Sequence, residues 1–278
     1  FPPLMIGMLR SGEGSGNIDQ VTERLAVQYE KDHKLNQQIR SAMTYPAILL
    51  VLCVVIAILI VTFILPQFKS LFDQMETLPG PTIILMSISD FLTKRWYAAI
   101  LIALTVVALI RIIIGIPAVR HQVDYRKVHM PVFGKLNKVV YTARFARTLS
   151  SLYSSGMPIA NAISIAGDTI GNRYIEGQFP QVVAQVRSGI PLSKALRDVD
   201  GLMRKLSSTI LIGEESGRLD VMLDSIAVTL ENEAEQATKR MVTLLEPMLI
   251  ILMALIVGFI MIAVMLPIYQ SYSAIENS

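Results

Sequence analysis

Polar and apolar positions along the 278 residues fall into one pattern that occurs twice. A polar turn, Gly12-Glu13-Gly14-Ser15-Gly16, is followed by Ile18, Val21, Leu25 and Tyr29 at helical spacing, with Glu23, Arg24, Lys31, Asp32 and Lys34 on other faces. This predicts an amphipathic helix. It leads to Pro46 and an uncharged apolar run closed by Leu65-Pro66, long enough to cross a hydrocarbon layer of roughly 30 Å. The same order returns 201 residues later, the distance from Gly12 to Gly213, without a gap. Glu13, Gly16 and Asp19 fall on Glu214, Gly217 and Asp220, Pro46 on Pro247, and Leu65-Pro66 on Leu266-Pro267. Internal repetition of this kind marks a duplicated architecture. Pro46 and Pro247 are expected near a helix start or kink, where a missing N–H is tolerated.

The remaining stretches fit around the two units. Residues 1–45 read as the C-terminal part of a first helical domain, 46–66 as the first span and 67–96 as a short loop. Residues 97–117 read as the second span, 118–246 as a second helical bundle, 247–267 as the third span and 268–278 as a tail. In the loop, Phe68, Leu71, Phe72 and Met75, then Leu85, Ile88 and Phe91, predict interfacial amphipathic turns separated by Pro79-Gly80-Pro81. Arg111 lies close enough to the end of the second span to snorkel. From 131 to 246 helical runs alternate with stop signals and predict about six helices. The breaks are Ser155-Gly156 with Pro158, Gly171-Asn172, Gly189 with Pro191, Asp200-Gly201 and Gly217. Pro180 is expected to kink or split its helix. The start has no signal-peptide character and enters the repeat part-way, so the first copy is expected to be truncated. The fold class is an all-α membrane protein with three transmembrane helices and duplicated cytoplasmic helical-bundle domains.

Composition supports the membrane assignment: 53% of residues are hydrophobic, 17% are charged, and mean hydropathy is +0.52. The net charge of +3 is too small to argue for nucleic acid. Its placement is informative. Lys31, Lys34 and Arg40 precede the first span, and Arg120, Arg126, Lys127, Lys135 and Lys138 follow the second, which predicts a cytoplasmic side for both. Lys69, Lys94 and Arg95 in the outer loop weaken that bias. The tail has Glu276 and no Lys or Arg, which places it outside.

Candidate chemistry is sparse. The single cysteine, Cys53, lies in an apolar run and is expected to pack as a small apolar group. His33, His121 and His129 lack metal-ligand spacing, so no metal is predicted. The Gly12 to Gly16 segment lacks the Lys-Ser/Thr and the preceding strand of a phosphate loop. A helix-ending glycine, followed by Asp19 or Asp220 at a helix N-terminus, is the structural reading. No nucleophile, acid–base or HExxH set assembles in any one region, and neither an enzyme nor a cofactor is predicted. Glu246 has two readings: interfacial solvation or a salt bridge with Lys239 or Arg240, and contact with a partner. Glu231, Glu233 and Glu235 read as a solvated face, with docking of a basic partner as the alternative. Arg173, Glu176, Arg187, Lys194 and Arg197 flank Gly and Pro breaks and are the candidate binding positions.

Several passages resemble one family. They are Phe145-Ala146-Arg147-Thr148-Leu149 with Ser155-Gly156-Met157-Pro158, the turn Gly213-Glu214-Glu215-Ser216-Gly217-Arg218-Leu219-Asp220, and Leu245-Glu246-Pro247 before a span ending in Leu266-Pro267-Ile268-Tyr269. Together they are similar to the inner-membrane platform proteins of type IV pili, type II secretion and competence pseudopili, built from two secretion F domains. The resemblance implies a non-enzymatic platform in the bacterial inner membrane. Its implied partners are a cytoplasmic hexameric assembly ATPase, prepilin or pseudopilin subunits, other inner-membrane alignment proteins, further copies of itself and the lipid bilayer. A small transporter or channel is the competing class. It is disfavoured because the spans carry Arg111 and no Asp, Glu, His or Lys.

Overall fold

The computed structural model describes residues 3–16, 18–72, 78–131 and 133–276, and every element among them is helical. In chain order these are α1 (Pro3–Ser15), α2 (Ile18–Leu59), a π-helical turn (Ile60–Ile64), a 3-10 turn (Leu65–Phe68), α3 (Lys69–Phe72), α4 (Gly80–Lys94) and α5 (Trp96–Gly115). They continue with α6 (Pro117–His129), α7 (Phe133–Ser154), α8 (Ile159–Asp168), α9 (Arg173–Glu176), α10 (Phe179–Arg187), α11 (Leu192–Arg197), α12 (Arg204–Ser216) and α13 (Leu219–Glu276). Two compact units result: Phe1–Ala42 with Ile114–Met241, and Met43–Ile113 with Val242–Ser278.

The first unit has one core. Phe145, Leu149 and Leu152 of α7, spaced by four and three residues, meet Ile163 and Ala166 of α8, Phe179 of α10, Ile210 of α12 and Leu223 and Leu230 of α13. Leu4 and Met8 of α1 and Val21 and Leu25 of α2 are buried in the same core. Seven helices, not six, cover 131 to 246. The addition is the four-residue α9: the run containing Pro180 is split, with Pro180 in the first turn of α10. The other breaks fall at positive-φ glycines: Gly156, Gly171, Gly189 and Gly201.

The repeated turn has the same geometry in both copies. Gly16 (φ 72°) and Gly217 (φ 66°) follow the ends of α1 and α12 in the left-handed region. Four residues earlier, Gly12 leaves room for Val21 and the backbone of Ile18, and Gly213 for Met222 and the backbone of Leu219. These contacts are related by the 201-residue offset. Each copy of the repeat therefore needs one glycine for close helix crossing and one for the chain reversal. At Gly217 the Arg218 N–H donates back to the Gly213 carbonyl at 3.0 Å. Gly217→Ala is expected to destabilise the first unit by about 1–2 kcal/mol through its left-handed backbone alone, read as a lower midpoint in thermal unfolding.

In the second unit Pro79 and Pro81 open α4 as the sequence predicts, whereas Pro267 does not close its span. Pro46 and Pro247 lie inside α2 and α13, and Pro267 also lies inside α13, which continues to Glu276 instead of closing. Three apolar stretches are long enough to cross a membrane: Met43–Phe68, Trp96–Gly115 and part of Leu219–Tyr269. The second ends at Gly115, because Ile116 is extended and Pro117 opens α6.

The 67–96 stretch carries the short α3 and the 15-residue α4. Met75 lies outside the described residues, and Ile88 and Phe91 are exposed. Leu85 and Phe72, however, are buried with Val61, Leu65, Ile260 and Ala263 in a second core. Thr82 and Ser89, seven residues apart on the buried face of α4, donate hydroxyl hydrogens to Ala263 O at 2.7 Å and Val61 O at 2.6 Å. Both acceptors are carbonyls left over by a proline. Ala263 is four residues before Pro267, which has no N–H to return in an α-helix. In the π-helical turn, where Leu65 N–H bonds Ile60 O five residues back, the next bond would run from Pro66 to Val61. One helix thus satisfies the carbonyl freed by the repeated proline in both copies. This explains why neither proline leaves a buried acceptor unpaired.

Candidate functional site

The charged chemistry of the first unit is mostly committed to holding helices together. Arg147 of α7, with a side chain only 6% exposed, donates from Nε and Nη2 to the two carboxylate oxygens of Glu231 at 2.6 Å each, and from Nη1 to Asp224 at 2.9 Å. Burial works against the guanidinium charge, but the bonds to Glu231 and Asp224 outweigh it and raise its pKa. Glu233 pairs with Lys205 of α12, and Glu235 with Lys239 at 2.8 Å. The acidic run on α13 is therefore not a solvated face. Successive members bind α7, α12 and a neighbour on α13 itself.

Two further clusters order the loops. Asp124, buried on α6, accepts the Arg173 N–H at 3.1 Å and pairs with Lys127 at 2.8 Å. Fully buried Asn172 caps α9 through Ile175 N–H. Glu176 accepts the Gly171 N–H at 2.9 Å, so its carboxylate is spent on closing the loop. Tyr174 donates to Asp200 at 2.7 Å, and burial with that bond pushes its pKa up to about 12. His129 lies 3.0 Å from the same carboxylate and so joins this cluster.

Glu214 of the repeated turn has a specific task. Its carboxylate accepts Leu192 N–H at 2.6 Å, Ser193 N–H at 3.3 Å and Ser193 Oγ–H at 2.5 Å. It supplies the cap that Pro191, at the N-cap position of α11, has no side-chain acceptor to provide. Glu13, its counterpart, is exposed, while Asp19 and Asp220 stand in the first turns of α2 and α13. Glu246 is exposed on α13, and Lys239, one proposed partner for it, bonds Glu235 instead. Cys53 is a free, buried thiol.

The five candidate binding residues separate. Arg173 and Glu176 belong to α9, beside α6 and α8. Arg187 is exposed at the end of α10. Lys194 and Arg197 line a groove of about 370 Å³ between α11 and α12 with Arg204, Ser193, Ser207, Ser208 and Leu211. Lys194, Arg197 and Arg204 are exposed, and none of them forms an ion pair among the described residues. Sequence reasoning passed over Arg204 although it follows the Asp200-Gly201 break; it joins the groove through the packing of α12 on α11. It also missed the roles of Arg147, Asp124 and Asp200, whose partners lie 77 and 84, 49 and 26 residues away. Among the described residues no group of His, Cys, Asp and Glu is arranged to hold a metal.

Comparison with known proteins places this geometry. The family described as type II secretion system protein F matches residues 1–66 and 145–267; the two segments end 201 residues apart, at the repeated prolines Pro66 and Pro267. A type IV pilus assembly protein PilC of Thermus thermophilus is 36% identical over 97% of this chain and 67% of its own length. The type II secretion system protein F of Vibrio cholerae is 35% identical over the same shares. PilC of Pseudomonas aeruginosa is 29% identical over 97% of this chain and 73% of its own length.

Proposed function

This chain belongs to the type II secretion system protein F family, and from that membership we propose that it is the inner-membrane platform of a type IV filament machine. In this reading it couples a cytoplasmic assembly ATPase to insertion of prepilin or pseudopilin subunits, without chemistry of its own. The observation that carries the reading is the match of both repeat units to a family whose relatives are named for pilus assembly and secretion. The charge pattern supports it by placing the first unit in the cytosol and the tail outside. Its polar groups then face the ATPase, and the apolar spans face lipid, other platform copies and alignment proteins. Arg173, Arg187, Lys194 and Arg197 are exposed and available for docking. Glu176, Glu214, Gly217 and Asp220 serve the local structure instead.

Topology tests this directly. A cysteine placed at Ser273 is expected to label from outside the cell, and one at Ser188 only after permeabilisation; the reverse pattern overturns the reading. Proteoliposomes containing the chain are expected to take up no solute above protein-free vesicles. Uptake would favour the small transporter or channel instead.

A further inference from the structure

We propose that the groove between α11 and α12 is a docking site for an acidic, amphipathic segment of a protein partner. The inference rests on the platform reading and identifies the surface it uses and the chemistry of what binds there. Three cations, Lys194, Arg197 and Arg204, converge on one groove with the hydroxyls of Ser193, Ser207 and Ser208. Among the described residues no carboxylate lines the groove, and Glu214, on the adjoining α12, is engaged in capping α11. The groove therefore presents uncompensated positive charge. A second cavity of the same unit, about 450 Å³, differs because Glu23 and Asp224 line it together with Lys31 and Arg147. Its charges balance internally.

Magnitudes decide what fits. An exposed ion pair contributes about 0–1 kcal/mol, so a single small anion in this open groove is held weakly. Binding needs several carboxylates engaging the cations together and an apolar anchor. Leu211, 41% exposed, lines the groove and supplies that anchor, with Ile212 beside it 56% exposed. A helix with carboxylates along one edge and an apolar side chain between them matches this layout, its charges steering approach and its apolar group slowing release.

The test uses the full chain in nanodiscs and a fluorescent helical peptide of Glu and Leu. The wild-type chain is expected to bind it with an affinity that falls as salt rises. The triple variant Lys194→Gln, Arg197→Gln, Arg204→Gln should weaken binding about tenfold or more. Leu211→Ala should weaken it while leaving the salt slope unchanged. Arg120→Gln and Lys135→Gln, exposed cations outside the groove, should have no effect. Since the three groove cations are exposed and form no ion pair, the triple variant should melt with the wild type. No peptide binding, equal binding by the triple variant, or displacement of the peptide by an equal concentration of inorganic phosphate would overturn the assignment. The purified assembly ATPase provides a separate arm. If it binds wild type and triple variant equally, the groove is not its dock and the platform reading survives. If it does not bind while the peptide behaves as expected, the groove stands and the platform reading fails.

Discussion

Replacing Arg147 with methionine is expected to destabilise the first unit by about 2–3 kcal/mol. Breaking a buried ion pair by removing one partner typically costs about 3–5 kcal/mol. The loss here is smaller because the carboxylates left behind reach solvent, with side chains 24% (Glu231) and 64% (Asp224) exposed. Arg147→Lys keeps the charge but cannot make the paired bonds to both Glu231 oxygens, so it should fall between wild type and methionine. Glu231→Gln should be destabilising on its own. In the Arg147→Met background it should cost little, because the bond it disrupts is already gone. Thermal unfolding of the four proteins in nanodiscs provides the cycle. Additive losses would mean that Arg147 and Glu231 do not act as a pair.

The second large effect is expected in α4. Thr82→Val preserves shape and removes only the hydroxyl, leaving Ala263 O without its donor; Ser89→Ala does the same to Val61 O. Each orphaned buried carbonyl should cost about 1–3 kcal/mol, and the double variant about twice that if the sites act independently. Hydrogen exchange of the α4 amides should accelerate in both variants, and Thr82→Ser should restore protection. The exposed ion pairs of Asp90 with Lys69 and Lys94 contribute too little to hold the helix by themselves. Unchanged exchange in Thr82→Val and Ser89→Ala would show that the carbonyls are satisfied by other means.

These two sites also mark where the sequence stops being informative. The spans and breaks are local: an uncharged run sets a span's length, a positive φ demands Gly16 or Gly217, and Pro158 or Pro191 marks a helix entry. The repeated turn is legible for the same reason, since its two glycine requirements are met within ten residues of chain. Arg147 is different. Its guanidinium is indistinguishable in sequence from a surface cation until α13 returns beside α7. The acidic run on α13 reads as solvated for the same reason, because Lys205 and Arg147 reach it only through tertiary packing. Proline misled the reading of the second unit in a specific way. In isolation it ends a helix, but a hydroxyl on a neighbouring helix can take over the lost bond, and Thr82 does so for the carbonyl freed by Pro267. Of the candidate docking residues, Lys194 and Arg197 are brought together, whereas Glu176 is turned inward to its own loop by Gly171.

The proposed role of this chain is that of a membrane platform on which an assembly ATPase works, with no catalysis of its own. The most direct measurement is the binding of the purified assembly ATPase to the chain in nanodiscs, with ATP turnover followed in the same sample. Saturable, salt-sensitive binding is expected, with hydrolysis that disappears when the ATPase's own active site is inactivated and no hydrolysis by the chain alone. Absence of binding, or ATP turnover by nanodiscs containing only this chain, would contradict it.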